Sequence, residues 1–432
     1  MEKSFRMELA GRPLIVETGK MAKQASGAVL VRYGETVVLV TSTASKEARE
    51  GMDFFPLTVD YEEKMYAVGK MPGGFLRREG RPGNSAILNA RLIDRPIRPL
   101  FDKRCRNDIH VMATVLSVDY DNAPELCGML GASASLGISD IPWDGPIAGV
   151  RVGRIDGQFV INPTQEQLKV STLNITVAGS ETAILMVEGG AQEAPEEDVL
   201  DAIMFGHKTI KELVAFQKKI IEEVGKPKRT LIFPEIPEEI KTAIYAYAER
   251  PLKEAIFNPD KLTREAHMEE VRKEAETHFK EIYPENGSDT AECLNHLTKE
   301  IVRHMISVDK IRPDGRALDE IRPISCEVGL LPRVHGSALF TRGQTQALTI
   351  TTLAPMSETQ IIDDLTQETE KRYIHQYNFP SYSVGETKSS RGPGRREIGH
   401  GALAERALIP VIPTVEEFPY AIRVVSEILE SN

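Results

Sequence analysis

Gly27-Ala-Val-Leu-Val-Arg-Tyr-Gly-Glu-Thr-Val-Val-Leu-Val-Thr-Ser-Thr43 aligns without a gap on Gly336-Ser-Ala-Leu-Phe-Thr-Arg-Gly-Gln-Thr-Gln-Ala-Leu-Thr-Ile-Thr-Thr352 (336 − 27 = 309 residues apart). In each stretch two β-branched runs flank a Gly-Glu-Thr or Gly-Gln-Thr turn, which predicts a β-hairpin. Further on, Phe75-Leu-Arg-Arg-Glu79 is answered by Pro393-Gly-Arg-Arg-Glu397, and Ile87-Leu-Asn-Ala-Arg91 by Ala402-Leu-Ala-Glu-Arg406. The order is kept and the spacing drifts only as loop insertions would make it. A repeat this long is a duplicated domain, not a solenoid.

Outward from the hairpins, Leu14-Ile-Val-Glu-Thr and Val111-Met-Ala-Thr-Val-Leu-Ser-Val read as strands of the first copy. Residues 84–95 read as a helix opened by Asn84 or Ser85 and stopped by Pro96. Leu126 to Ile138 is a helix of small residues, suited to close packing on a sheet. Three more strand signals lie between 145 and 190, and Glu196 to Val224 has helical spacing. This is an α+β pattern, not the βα alternation of a Rossmann sheet. The expected order is a first copy over 1–145 with its C-terminal part at 146–224, then a Pro-rich linker at 225–236 that includes Phe233-Pro-Glu. An all-helical domain at 237–309 and the second copy at 310–432 complete it. Setting Ile422-Arg-Val-Val against Ile109-His-Val-Met puts Asn432 opposite Asp119, so the second copy is expected to be incomplete.

Composition restricts the function classes. No apolar run approaches the roughly 18 residues of a membrane span, and the N-terminus lacks the apolar stretch of a signal peptide. Four cysteines (Cys105, Cys127, Cys293, Cys326) without a C-x-x-C pair suggest neither a disulfide framework nor a zinc site, and a reducing cytoplasm is expected. The net charge of −11 argues against a polyanionic partner, yet nine Lys/Arg face three acids between Arg77 and Arg106. A polyanion meets that local patch, so the global sign decides little.

Arg77-Arg78 lies between Gly73-Gly74 and Gly80-Arg81-Pro82-Gly83, and Arg395-Arg396 follows Gly392-Pro-Gly394. Guanidinium forks and backbone N–H groups on a Gly-rich loop suit a phosphate. An isolated basic pair is usually a solvated loop; recurrence in both copies makes it a candidate. His400, four residues after the second pair, is a candidate acid/base or phosphate ligand. Asp363-Asp364, with Glu368 and Glu370, reads as a solvated face, and Asp53, Asp60 and Asp94 as turn and cap residues. No Walker, dinucleotide or G-x-S-x-G motif occurs.

Several long strings then resemble the bacterial polynucleotide phosphorylase family. They are Asp53-Phe-Phe-Pro-Leu-Thr-Val-Asp-Tyr, Gly74-Phe-Leu-Arg-Arg-Glu-Gly-Arg-Pro, Ala90-Arg-Leu-Ile-Asp-Arg-Pro, His335-Gly-Ser-Ala-Leu-Phe-Thr-Arg-Gly, Tyr377-Asn-Phe-Pro-Ser-Tyr-Ser-Val-Gly-Glu, and Arg395-Arg-Glu-Ile-Gly-His-Gly. The resemblance implies duplicated RNase PH-like domains, a ribosomal-protein-like βαβ fold, separated by a small all-helical domain. It implies a homotrimeric ring in the cytoplasm that degrades single-stranded RNA from the 3′ end, using inorganic phosphate as co-substrate and releasing nucleoside 5′-diphosphates. RNA degradosome partners, an endoribonuclease and an RNA helicase, belong to the same picture.

Site residues follow from the resemblance. Arg395, Arg396 and His400 are the expected catalytic residues. Phe75, Arg77, Arg78 and Arg81 are the expected RNA-binding residues, with Leu76 where an aromatic is often found. The family's Mg²⁺ ligands, its Gly-Ser-rich phosphate turn and its two terminal RNA-binding modules would lie beyond residue 432, so residues 1–432 alone are expected to be inactive. The competing readings are a non-catalytic RNA-binding ring subunit of exosome type and a hydrolytic nuclease, which needs clustered acids for two metals.

Overall fold

The strands of the first copy alternate between buried and partly exposed positions, so each offers the core one face. They are β1 (Lys3–Leu9), β2 (Arg12–Thr18), β3 (Gly27–Tyr33), β4 (Thr36–Ala48), β5 (Leu57–Glu63) and β6 (Asn107–Ser117). In β6 the buried set is Asn107, Ile109, Val111, Ala113 and Val115. The strands form one sheet in the order β1-β2-β3-β4-β6-β5, with only β5 and β6 parallel. This computed structural model describes residues 2–48, 54–231, 236–284, 286–367, 370–389 and 391–431. Asp53, Glu368, Asn432 and the Phe233-Pro-Glu part of the linker lie outside the described residues.

The parallel β5–β6 pair needs a crossover, and α1 (Asn84–Ile97) supplies it. It starts at Asn84 behind Gly83 and, contrary to expectation, runs through Pro96. A proline in the last turn removes one ladder bond, and the chain then tightens into the short 3₁₀ turn Arg98–Leu100. The small-residue helix α2 (Pro124–Ile138) is buried from Glu125 to Ile138. A Cβ on Gly131 would lie 2.4 Å from Val40 Cγ2, so helix and sheet approach as closely as glycine allows. On its other side α2 meets β7 (Ala148–Ile155) and α4 (Glu196–Val224). A second sheet of this copy has the order β10-β9-β7-β8, with β8 at Gln158–Ile161, β9 at Leu173–Gly179 and β10 at Ile184–Ala191. Two of these elements carried no usable sequence signal. Helix α3 (Gln165–Val170) is a single capped turn, and β10 ends in Glu-Gly-Gly-Ala, which breaks alternation.

Residues 232–323 form a separate compact unit of three helices, α5 (Glu238–Ile256), α6 (Lys261–Ile282) and α7 (Gly287–Ser307). Ile244, Leu252, Phe279, Leu294 and Leu297 belong to its core.

The second copy repeats the first sheet. Strands β11 (Ile324–Val328), β12 (Gly336–Arg342), β13 (Thr345–Ala354), β16 (Tyr373–Asn378) and β17 (Ala421–Glu430) stand in the order β11-β12-β13-β17-β16, matching β2-β3-β4-β6-β5. A small ribbon of β14 (Gln360–Ile361) and β15 (Glu370–Lys371) precedes β16. The hydrogen-bond registers coincide residue by residue. Gly27 faces Ser42 as Gly336 faces Thr351, and Ala44 faces Ile109 as Leu353 faces Ile422. In the parallel pairs Leu57 faces Ile109 as Tyr373 faces Ile422. The buried Ile422, Val424 and Ile428 of β17 stand where the buried Ile109, Val111 and Val115 of β6 stand, so these central strands bury the same side. The helix α8 (Arg395–Leu408) takes the place of α1 and packs against it.

Candidate functional site

Helix α8 begins where α1 begins, fourteen residues each, so position 395 of one is position 84 of the other. The expected match of Arg395-Arg396 with Arg77-Arg78 therefore does not hold in space. The true counterparts are Asn84 and Ser85, and that of His400 is Asn89. Arg77 and Arg78 lie on the loop before α1, which is longer than its counterpart before α8. What the two Arg-Arg-Glu strings share is the glutamate. Glu79 accepts a hydrogen bond from the Met65 backbone N–H (3.1 Å), and Glu397 accepts from those of Phe379 (2.8 Å) and Gly394 (2.6 Å). Each ties the chain just beyond the parallel strand to the loop or helix ahead of it.

Arg395, Arg396 and His400 are brought together on the first two turns of α8. Gly394 precedes them and has no side chain to cap the helix, so first-turn N–H groups and two guanidinium groups share one end. Cations at a helix N-terminus oppose the macrodipole, at about 0.3–1 kcal/mol each. Glu397 in the first turn and the Asp60 carboxylate beside Arg395 offset part of that cost. Arg395 is not simply solvent-facing. It donates to the Val59 carbonyl (2.6 Å) and to the Asp60 carboxylate, both on β5 of the first copy. Arg396 is exposed and has no hydrogen bond or ion pair to other described residues. His400 meets the Tyr377 ring edge to face (5.1 Å between centroids). Arg91 of α1 lies over Gly399, where a Cβ would be 2.6 Å from its Nε. Burial, then the positive charges of Arg396 and Arg91, hold His400 below the ordinary histidine value despite Glu397. It is the neutral imidazole, with one donor and one acceptor, that stands beside the arginines.

Asp60 is not a turn or cap residue. It sits within β5 and binds His110 Nε2 (2.9 Å) as well as Arg395. Burial pushes its carboxyl up, but the hydrogen bonds and charges of Arg395 and His110 outweigh that and leave it below the usual value. Sequence reading missed Asp60, His110, Arg91 and Tyr377, and no local pattern marks them, because their partners are distant in the chain.

The loop before α1 carries the other expected residues. Phe75 is fully exposed (100%) and Leu76 nearly so. They cap a turn closed by the Arg77 N–H on the Gly74 carbonyl (2.9 Å), with Arg77 in a left-handed conformation (φ 51°). The Arg77 guanidinium folds back on the Pro72 and Gly73 carbonyls. Arg78 and Arg81 are exposed. Behind the loop a cleft of about 910 Å³ is lined by Glu63, Ser85, Asn89, Asp363 and Asp364, among others. The two aspartates therefore border a cleft and are not a featureless solvated face. Asp364 also caps Thr366. Among the described residues no three His, Cys, Asp or Glu side chains are grouped so as to hold a metal ion, and no helix is long and apolar enough to cross a membrane.

Comparison with known proteins agrees with the duplicated architecture. The model of the 3′ exoribonuclease family, domain 1, matches twice, at residues 10–142 and 320–432, and that of domain 2 matches at 145–209. The RNA-binding domain of polyribonucleotide nucleotidyltransferase matches at 239–317. The polyribonucleotide nucleotidyltransferase of Syntrophomonas wolfei is 61% identical over 430 residues, 100% of this chain and 61% of its own length. That of Heliobacterium modesticaldum is 60% identical over 99% of this chain and 60% of its own, and that of Geobacillus kaustophilus 58% over 99% and 59%. The chain thus spans about 60% of the length of the curated relatives it matches. Two sheets with one register, each with a crossover helix between its parallel strands, are what a twice-matched domain 1 requires, and the chain belongs to the 3′ exoribonuclease family.

Proposed function

We propose that this protein shortens single-stranded RNA from its 3′ end by phosphorolysis, releasing nucleoside 5′-diphosphates, with the reverse polymerisation available. The observation that carries the reading is the contrast between two equivalent helices. One begins Asn84-Ser85 with Asn89 a turn later; the other begins Arg395-Arg396 with His400 a turn later. Arg395 also docks the two copies through Val59 and Asp60, but Arg396 has no partner among the described residues, and a second cation at this helix N-terminus, absent from the other copy, supports a site for anions there.

In phosphorolysis an oxygen of inorganic phosphate attacks the last internucleotide phosphorus, that P–O bond forms, and the 3′ oxygen of the shortened chain leaves with the old bond. Three anionic groups crowd one centre, so charge neutralisation and in-line placement dominate. Arg396, exposed and without a partner among the described residues, binds the attacking or scissile phosphate with its fork of donors. Arg395, fixed from β5, presents its remaining N–H groups beside it. Neutral His400 orients an oxygen by hydrogen bonding. Phe75, Arg77, Arg78 and Arg81 hold the RNA upstream, by base stacking on the exposed ring and by contacts to phosphates.

The homotrimeric ring, cytoplasmic location, Mg²⁺ and the degradosome partners belong to this proposal on similarity alone. Bound Mg²⁺ would screen the charge on the leaving oxygen. The test is phosphate-dependent diphosphate release from poly(A) by the complete natural protein and by its Arg395→Ala/Arg396→Ala variant. Loss of a charged contact to the transition state lowers the rate by about 10²-fold or more, and the single Arg396→Ala variant, which breaks no contact with other described residues, keeps the wild-type thermal unfolding temperature. A double variant that releases diphosphates at the wild-type rate, or a wild type releasing monophosphates, refutes the reading.

A further inference from the structure

We infer that Asp60 of the first copy is a positioning residue for Arg395, so that the anion site of the second copy is completed by a strand of the first. The inference rests on the phosphorolytic reading and adds to it a residue that lies in a different domain copy, 335 positions away in the chain.

The geometry is a two-point hold. One terminal nitrogen of Arg395 donates to the Val59 carbonyl at 2.6 Å, and the other to Asp60 Oδ1. Two adjacent acceptors on one strand fix both the position and the plane of the guanidinium. Of its five N–H donors, three remain to address an anion. Asp60 is itself held, because its second oxygen meets His110 Nε2 at 2.9 Å on the neighbouring strand β6. All of this sits on a sheet and a helix start, not on a mobile loop, which is what a precisely placed charge requires.

The second copy supplies the control. By register, Gln376 stands where Asp60 stands and Arg423 where His110 stands. Those two bind each other, the Arg423 guanidinium donating to the Gln376 amide oxygen, and among the described residues no arginine of a helix start joins them. The carboxylate occurs in the copy whose strand faces Arg395, and an amide in the copy whose strand does not. As an acceptor within the sheet either residue would serve. As an anchor for a guanidinium the carboxylate is the stronger, by charge-assisted hydrogen bonding.

Asp60 also neutralises part of the charge of Arg395, so it acts through orientation and not by adding attraction for phosphate. The readout is accordingly the Michaelis constant for inorganic phosphate, measured in the complete natural protein with poly(A). Asp60→Asn raises it about tenfold, while the KM for RNA changes less than about twofold. In an Arg395→Gln background the same substitution adds less than about twofold, because the group it positions is gone. An unchanged phosphate KM in an active Asp60→Asn variant overturns this inference and leaves the phosphorolytic reading intact, as does an effect that persists undiminished in the Arg395→Gln background. Failure of both Asp60→Asn and Asp60→Ser to fold overturns it too, since Asp60 would then be a structural residue. A wild type with no phosphate-dependent diphosphate release removes both readings together.

Discussion

Replacing Glu63 with Gln is expected to stabilise the first copy at alkaline pH and to do little in acid. Glu63 ends β5 and lines the cleft beside Ser85 and Asn89. Burial, with the negative charges of Asp364 and Glu125, raises its carboxyl from 4.5 to about 7, against the opposing hydrogen bonds of Ser85 (2.9 Å) and Asn89. The folded state therefore keeps the proton up to about pH 7, whereas the unfolded chain releases it near 4.5. Between those values the folded state binds more protons, so stability falls as pH rises and the penalty is complete above pH 7. At about 1.4 kcal/mol per pH unit the whole rise corresponds to about 3 kcal/mol. Relaxation and water in an open cleft reduce this to about 1–2 kcal/mol. Glutamine keeps the shape and an acceptor for Ser85 while removing the charge. The chain has a single tryptophan, Trp143, buried in this copy with its indole N–H on the Ile97 carbonyl at the end of α1 (3.0 Å). Its fluorescence during urea unfolding therefore reports the copy that holds Glu63. The gain of Glu63→Gln over wild type should grow by about 1 kcal/mol between pH 5.5 and pH 8.5. A pH-independent difference, or a loss of stability at pH 8.5, would refute the reasoning.

Three further outcomes are expected. Arg77→Gln/Arg78→Gln leaves unfolding unchanged and lowers the slope of log affinity for single-stranded RNA against log salt by about 0.7 for each phosphate no longer neutralised; an unchanged slope counts against this loop as an RNA-binding element. Glu188 bridges Arg95 (2.7 Å) and Arg406 (3.2 Å); as both arginines are more than a third exposed, Glu188→Gln costs about 1 kcal/mol at most, read by urea unfolding at low and high salt. Arg91→Gln removes a positive charge near His400, so the imidazole pKa, followed by NMR titration, rises toward the ordinary value. In the wild type that lowered pKa means stability is lost as pH falls through about 6.5, the unfolded histidine value, and the variant loses less.

The duplication was legible because strand and turn residues repeat in the same order, at a single interval through the hairpin, and the paired strands then share one register. The helix at α2 was legible for a related reason: Gly128, Gly131, Ala132 and Ala134 leave room for nothing but close packing. The site was legible only in part. Similar strings, Arg-Arg-Glu, misaligned the two copies by seven residues (318 against 311) because the shared glutamate does a similar job from a loop in one and from a helix in the other. No sequence pattern joins Asp60 to Arg395, since nothing local in either residue records a pairing made through the docking of one copy on the other.

That docking also separates the tasks of the two arginines. Arg395 and Arg406 are eleven residues apart on α8, which at 3.6 residues per turn is close to three whole turns, so they lie on one stripe. The stripe is held at its start by Val59 and Asp60 and near its end by Glu188, all from the first copy. No single pair there contributes much, yet rotation of α8 about its axis would break the hold at both ends at once. Arg396 lies about 100° around the helix from Arg395, off the anchored stripe and without a partner among the described residues. A helix clamped along one side presents the neighbouring side in a fixed direction. The first copy, with Asn84 and Ser85 in place of the arginines, accordingly contributes to the anion site by aiming a helix that is not its own.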